Sequence, residues 1–530
     1  MIARPQVNPP AEVIIGLDVG TTATKAVAFG LRSSWRHTVV REYPLLQPAP
    51  GWQVQDPQTV VAAVMGALAE VVSQSRGAKV LAVSLSAAMH GLVGLDAALR
   101  PLTPIVTWAD SRAVDEARLL RESGQGTQLH RTSGTPVHPM SPLTKLMWFS
   151  RHEPETTARA RAWVGLKDLV VHALTGTLAT ELSSASGTGL LDLSTRTWNP
   201  LAADLAGIRD DQLPPVLPTT AALGLSKYVA ARVGLPTATP VVLGAADGPL
   251  GNLGTGAIEP GVVGLSVGTS GAARMVVPAP VVDESGRLFC YALTEDAWVV
   301  GGAVSNGGIV VRWAGDVFGT GATDAGSTDP QGSADTRLLA LAASVAPGSD
   351  GLVMLPYLLG ERAPLWDPGV PGAFLGVRHH HTRGHFVRAA VEGVALQLSA
   401  IVDGLDRISP VTSVRATGGV FRSPVWRDIL ASALGRPLHV TGGAEGSALG
   451  AAALGMLAIG RTDTLHGALG ALAPAFVDDE GEAVVPTADP AVYDRVRASI
   501  PGLVDGYRGV AALFAEQANR SGAHRVAAPV

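Results

Sequence analysis

Apolar and polar residues change their period several times along this chain, and the changes mark its elements. Residues 14–27, "IIGLDVGTTATKAV", open with an apolar run, reach Asp18, turn at Gly20-Thr21-Thr22 and continue extended. That pattern predicts a β-hairpin with a buried first strand and a tip that carries two hydroxyls. Residues 264–276, "GLSVGTSGAARMV", repeat Gly, Leu, Val, Gly and Thr at a constant offset of 248 residues (264 − 16), with Ser270 in the place of Thr22. A recurrence half a chain apart predicts two related domains, each presenting its own turn to one cleft. Between the copies, Val60, Val64, Ala67, Leu68 and Val71 share one helical face of residues 57–75, and "KVLAVSLS" (79–86) reads as a strand. In "VVLGAADGPLGNLGTG" (241–256), Val241–Leu243 form a short buried strand and Asp247 follows on a glycine-flanked turn. Strands alternating with helices predict an α/β fold. The domain boundary is expected near Gly254–Pro260. A loose leader over 1–12, a mobile loop over 319–336 and a fraying tail over 517–530 are expected beside it.

The Gly20 turn resembles two phosphate-binding signatures and matches neither. A P-loop needs a lysine directly after its second glycine, and a dinucleotide fingerprint needs three spaced glycines that open a helix. A Gly-Thr-Thr tip still offers backbone N–H groups and hydroxyls to an anion. Taken alone, it reads equally well as an aspartate that caps its own turn. Asp247 carries the same two readings. A carboxylate at the carboxyl end of a strand stands where ligands bind in open α/β folds, and the two hydroxyl turns favour that reading.

Composition narrows the class. At 530 residues the chain is too long for one core. A formal charge of −5 speaks against a nucleic-acid or anionic-membrane surface. The single cysteine, Cys290, excludes an internal disulfide, suits a reducing cytoplasm and reads as a buried structural thiol. "MIARPQVNPPAE" lacks the apolar core of a secretory signal, and the apolar stretch Ala448–Ile459 is too short to span a bilayer.

Phosphoryl transfer asks little of a protein: donors around phosphates, a metal ion, and a carboxylate to deprotonate the attacking hydroxyl. Two Gly-Thr turns with Asp18 and Asp247 supply that set. From about Val13 to Phe476 the chain resembles the FGGY family of carbohydrate kinases, whose superfamily includes chaperone ATPases and actin. Within it, "SAAMHGL" (86–92), "TWADSRA" (107–113), "GTPVHPMSPLTKLMWF" (134–149), "FCYALTE" (289–295) and "GERAPLW" (360–366) are most similar to gluconate kinases. Gly91 stands where many of those have serine, whereas xylulose kinases share Met-His-Gly.

The resemblance implies two actin-like, ribonuclease H-like domains, 13–255 and 256–516, with an ATP and sugar cleft between them. It implies Mg²⁺ with Asp18 and Asp247 as the carboxylates toward it, and Asp247 as the general base. Gly20, Thr21, Thr22 and Lys25 would serve the first phosphate turn, and Gly268, Thr269 and Ser270 the second. Gly308, Arg312, Gly418, Gly419 and Ser423 would line the nucleotide, and Met89, His90, Trp108, Asp110 and Met140 the sugar. Trp108 and Met140 also read as core, His90 as a structural histidine, and Gly418-Gly419 as an ordinary turn. A substrate carboxylate would need a cation, for which His90, His138, Lys145 and Arg362 are the candidates; Arg362 reads as well as a partner of Glu361. The expected activity is ATP-dependent phosphorylation of a sugar acid, D-gluconate to 6-phosphogluconate, by a cytoplasmic enzyme.

A pentulose kinase is the alternative within the class, and a non-catalytic sugar sensor the alternative outside it. A sensor would be expected to lose Asp247, and a chaperone-like ATPase would need a peptide-binding module. Expected partners are a small-molecule sugar, with no nucleic acid and no membrane; a homodimer is the assembly considered. The run His379-His380-His381, with His385 beyond it, reads as a loop and helix start and is assigned no metal.

Overall fold

The computed structural model describes residues 9–318, 330–442, 446–473 and 482–520. The chain forms two compact units: Met1–Pro260 with Val276–Val300 and Gly443–Asp479, and Gly261–Met275 with Gly301–Gly442 and Glu480–Val530.

The first unit is built on β1 (Glu12–Val19), β2 (Ala23–Gly30), β3 (Arg36–Glu42), β4 (Lys79–Ala87), β5 (Ala222–Gly224) and β6 (Pro240–Ala246). They lie in the order β5-β6-β4-β1-β2-β3. The expected hairpin is present: β1 and β2 are antiparallel with Asp18 opposite Lys25. β1 and β6 both run parallel to β4, which sets Asp18 beside Ser86 and Ala246 beside Ala87. Helix α1 (Pro57–Gln74) buries Val60, Val64, Ala67, Leu68 and Val71, the face its spacing predicts. Asp56 caps it by accepting from the Thr59 amide at 2.7 Å.

The helix Gly446–Ala458, "GSALGAAALGMLA", is buried along most of its length and packs on β1 and β4. Its small residues let backbones touch. A Cβ on Gly16 would stand 2.1 Å from the carbonyl oxygen of Ala448, so no larger residue fits. Two shorter helices matter for the site: α2 (Pro142–His152) and α3 (Leu182–Ser186). Asp247 does not sit on a glycine-flanked turn, as its neighbours suggest, but opens helix α4 (Asp247–Leu253). Gly248 and Pro249 look like turn signals, yet the first helical turn has no intrahelical N–H bonds to lose.

A second sheet contains β7 (Val262–Val267), β8 (Gly271–Val277), β9 (Trp298–Val304), β10 (Ser413–Thr417), β11 (Leu438–Val440) and β12 (Glu482–Val484). These strands are neighbours in the order β9-β8-β7-β10-β11-β12. The antiparallel β7–β8 hairpin and the parallel β7–β10 pair repeat the relation of β1 to β2 and β4. The second tip is one residue shorter, because Val267 pairs with Gly271 whereas Val19 pairs with Thr24.

Of the loop expected over 319–336, residues 319–329 lie outside the described residues. From Pro330 the chain is helical to Ala343, with Leu338, Leu339 and Ala342 buried, an apolar face hidden behind a polar start. Residues 521–530 of the expected tail lie outside the described residues, but 517–520 continue the helix Pro490–Arg520. Of the leader, 1–8 lie outside and Glu12 already belongs to β1. Cys290 is buried on the strand Phe289–Ala292, and burial pushes its thiol up to about 12. His379–His381 precede the helix Arg383–Ile408. Among the described residues this is the one helix long and apolar enough to cross a membrane, and 83% of its apolar window is buried inside the protein.

Candidate active site

The Gly20 turn is held from four sides. Within it the Gly20 amide donates to the Ala23 carbonyl at 2.9 Å. The Tyr43 hydroxyl donates to the Gly20 carbonyl at 2.8 Å, and Gln55 Nε2 donates to the Thr21 carbonyl at 2.7 Å. Trp108 Nε1 donates to Thr21 Oγ1 at 2.9 Å. The side chain of Thr22 is thereby left at an exposed tip, with its carbonyl accepting from the Tyr43 amide at 2.9 Å. Ser86 Oγ donates to Asp18 Oδ1 at 2.7 Å. Burial raises the Asp18 carboxyl above the usual carboxylate range, against the opposing pull of the Ser86 hydroxyl and of Lys25.

Asp247 stands two strands from Asp18. β6 and β1 flank β4, so the ends of their strands lie roughly 10 Å apart. The Asp247 Oδ1 accepts from the Met89 amide at 3.2 Å, which fixes the carboxylate against the segment after β4. Its approach is set by a bulge: the β6–β4 register shifts between Val242 and Ala245, and Gly244 has φ of 69°. Ser183 Oγ on α3 accepts from the Ala246 amide at 3.2 Å. Glu181 caps α3, accepting from the Ser183 and Ser184 amides, and forms a buried ion pair with Lys167.

His90, next to Met89, takes the left-handed φ of 63°. It is held there by Nδ1 on the Gly187 carbonyl, at 2.8 Å, just past α3. The Tyr291 ring meets its edge at 5.8 Å. The His90 carbonyl accepts from Lys145 Nζ at 2.6 Å. Lys145, on α2, also donates to the carbonyls of Thr107 at 2.7 Å and Val106 at 3.4 Å. The lysine is fully buried, so this cation faces backbone and no solvent.

The other sugar-side candidates divide. Trp108 is half-buried and reaches the phosphate turn as above. Asp110 is buried, and both its oxygens are engaged: Oδ2 accepts from the Gln53 amide at 2.7 Å and from Arg112 Nη2 at 2.9 Å, and Oδ1 from Arg112 Nε at 2.8 Å. The Arg112 guanidinium in turn lies 3.7 Å from the Trp52 ring centre. Met140 is buried, and its amide donates to His138 Nδ1 at 3.2 Å. A Cβ on Gly91 would meet Leu166 Cβ at 3.3 Å and Ile105 Cγ2 at 3.6 Å. A side chain at that position points into the core.

In the second unit the nucleotide-side candidates converge. The Gly268 amide closes its turn on the Ser270 carbonyl at 2.8 Å. The Gly307 amide donates to the Thr269 carbonyl at 3.0 Å, and the Gly308 amide to the Gly268 carbonyl at 2.7 Å. Gly418, with φ of 121°, approaches β7 so closely that a Cβ would stand 2.1 Å from the Val267 carbonyl oxygen. Gly419 is exposed beside it. Ser423 is the N-cap of helix α6 (Pro424–Leu434), and Arg312 is exposed on α5 (Ile309–Phe318). Arg362 donates from Nε to Ser305 Oγ at 3.1 Å and from Nη2 to the Val304 carbonyl at 2.9 Å. Glu361 is buried and receives the Gln397 amide; burial raises its carboxyl well above the usual range, with Gln397 and Arg362 opposing.

Tyr43, Gln55, Ser86, Glu181 and Ser183 support the site without any motif of their own. Only Ser86 carried a signal, as the strand-end residue of "SLSA" next to the Met-His-Gly segment. Among the described residues no group of three or more His, Cys, Asp or Glu is placed to hold a metal ion.

Comparison with known proteins identifies the family. The FGGY family of carbohydrate kinases matches through its N-terminal domain at residues 13–254 and its C-terminal domain at residues 263–459. The gluconokinase of Bacillus subtilis is 38% identical over 457 residues, 85% of this chain and 88% of that protein. The xylulose kinase of Escherichia coli is 30% identical over 84% of this chain and 90% of its own length. The crystal structure of gluconate kinase from Lactobacillus acidophilus superimposes with a TM-score of 0.83 at 32% identity, covering 97% of this chain and 99% of that one. With both of its domains matched and the strand-end carboxylates and hydroxyl turns in place, the chain belongs to the FGGY family of carbohydrate kinases.

Proposed function

We propose that this carbohydrate kinase transfers the γ-phosphoryl group of ATP to the 6-hydroxyl of D-gluconate. The observation that supports the sugar acid over a ketose is the graded likeness, 38–39% identity to gluconokinases against 28–30% to xylulose kinases.

Asp247 takes the proton of the attacking hydroxyl, and the Met89 amide keeps one carboxylate oxygen aimed while the other is used. The Gly20-Thr21-Thr22 and Gly268-Thr269-Ser270 turns supply donors to the phosphates, with Lys25 on the first. Gly308, Arg312, Gly418 and Gly419 serve the nucleotide, and Ser423 holds the helix start beside them. Met89, His90 and Trp108 bind the sugar. Asp110 and Met140 act through their neighbours, as both are buried. Mg²⁺ fits this donor set: it keeps several waters and is bound through one or two carboxylates with substrate phosphates, so Asp18 would hold it through water, with Asp247 as the second carboxylate facing it. When bound, that ion neutralises phosphate charge.

Of the four cations considered for the substrate carboxylate, Lys145 and His138 are buried, and His90 and Arg362 are half-buried. The latter two are the better placed to meet it. With a single buried cysteine, we place the enzyme in a reducing cytoplasm.

Product analysis tests the proposal. Incubation with ATP, Mg²⁺ and gluconate should yield one new phosphorus resonance coupled to the protons of C6. Phosphate on another oxygen, or ADP release that gluconate does not stimulate, would contradict it.

A further inference from the structure

We propose that Lys145 is a positioning residue: one buried ammonium ties together the two chain segments that carry the substrate-side and phosphate-side groups of the first unit. The inference rests on the sugar-kinase reading above and adds to it the part that sets the site's geometry.

Three carbonyls converge on Nζ, those of His90, Thr107 and Val106, at 2.6, 2.7 and 3.4 Å. The two nearer ones belong to different segments, Met89–Gly91 after β4 and the segment around Thr107–Trp108. Each segment makes a contact at the reacting end of the unit. Met89 holds Asp247, and Trp108 holds Thr21. Lys145 therefore joins the general base to the phosphate turn through two residues on each side. An ammonium carries three donors on one atom and no acceptor, so three carbonyls can be satisfied at once. Arginine spreads its donors over a planar fork, and glutamine offers two.

The location suits positioning better than binding. Lys145 is fully buried, among backbone groups, and cannot meet a ligand. His90 is already held in the left-handed region, which a histidine adopts only under constraint, and its carbonyl is one of the three held by the lysine. Burial pushes the Lys145 ammonium down to about 7, with Asp110 opposing and Arg112 adding to the shift.

Steady-state kinetics on the full chain test the proposal. They use the sugar that the wild-type enzyme phosphorylates best, so that an error in choosing gluconate leaves the test standing. Lys145→Met should raise KM for the sugar and lower kcat, so that kcat/KM for the sugar falls at least about tenfold, and Lys145→Gln should fall between it and wild type. His90→Asn, which keeps a residue suited to the left-handed backbone, closes a double-mutant cycle. Its effect on sugar KM should be clearly smaller in the Lys145→Met background than alone. Unchanged KM values with a lower Tm, or effects that multiply, would assign Lys145 to stability only and overturn the proposal. If Lys145→Met does not fold, Lys145→Gln carries the same measurement. Loss of folding in both variants makes Lys145 a core residue and overturns it too.

Discussion

Asp247 and Lys145 are both ionisable and both bonded to backbone groups, but their surroundings suit them to different proposed tasks. Asp247 keeps one oxygen on the Met89 amide and stands at a strand end, where a hydroxyl can approach. Asp247→Asn should leave sugar and nucleotide binding within about twofold and lower kcat by about 10²–10⁴-fold, the usual range for a lost general base. A variant that retained more than a tenth of wild-type kcat would show that another group takes the proton. Lys145 is set by burial. Its ammonium is depressed from 10.5 to about 7, so the folded state binds fewer protons than the unfolded chain between those values. Stability from this group is present above about pH 10.5 and is lost as pH falls toward 7. The Tm difference between wild type and Lys145→Met should therefore rise from pH 7 to pH 10, and a flat difference would argue that the amine is not desolvated. Asp18 and Asp247 were legible because each follows an apolar run directly. Lys145 was legible only as a cation in "SPLTKLMWF", since the carbonyls it holds lie 55 and 38 residues away.

At the scale of elements, local pattern carried far where contacts are local. The two hairpins, α1 and β4 follow from alternation and helical spacing. Gly248 and Pro249 signal a turn, yet Asp247 opens α4 directly after β6, with the Ala246 amide donating to Ser183 Oγ. The packing of the helix Gly446–Ala458 on β1 had no local signal at all, being set by Gly16 more than 400 residues earlier. The β6 bulge is the device that aims Asp247, and it allows a sharp test. At Gly244 a Cβ would stand 1.7 Å from the Leu85 carbonyl oxygen, at φ of 69°. Gly77 also has a positive φ, of 95°, but open space around it. Gly77→Ala should cost about 1–2 kcal/mol, the strain of left-handed backbone alone. Gly244→Ala should cost several kcal/mol or prevent folding, because the clash adds to the strain. Equal losses in denaturant titrations would mean that β6 shifts freely and does not fix Asp247.

For the whole molecule, the repeat between residues 16–27 and 264–276 was the strongest statement in the sequence, and its two hairpins stand in two units with the same strand relations. No sequence pattern announced that Val276–Val300 and Gly443–Asp479 fold with the first unit, because chain order says nothing about which core a later segment joins. The choice of substrate also belongs to this scale, since an aldonate brings a full negative charge that a ketose lacks. Burying that charge is costly without a cation or strong donors, and one charge-assisted hydrogen bond is worth about 1.5–3 kcal/mol. The most direct measurement is kcat/KM for gluconate, xylulose, ribulose and glycerol under one set of Mg-ATP conditions. Gluconate should lead by at least about tenfold; a neutral ketose in the lead would contradict the assignment of a sugar-acid kinase.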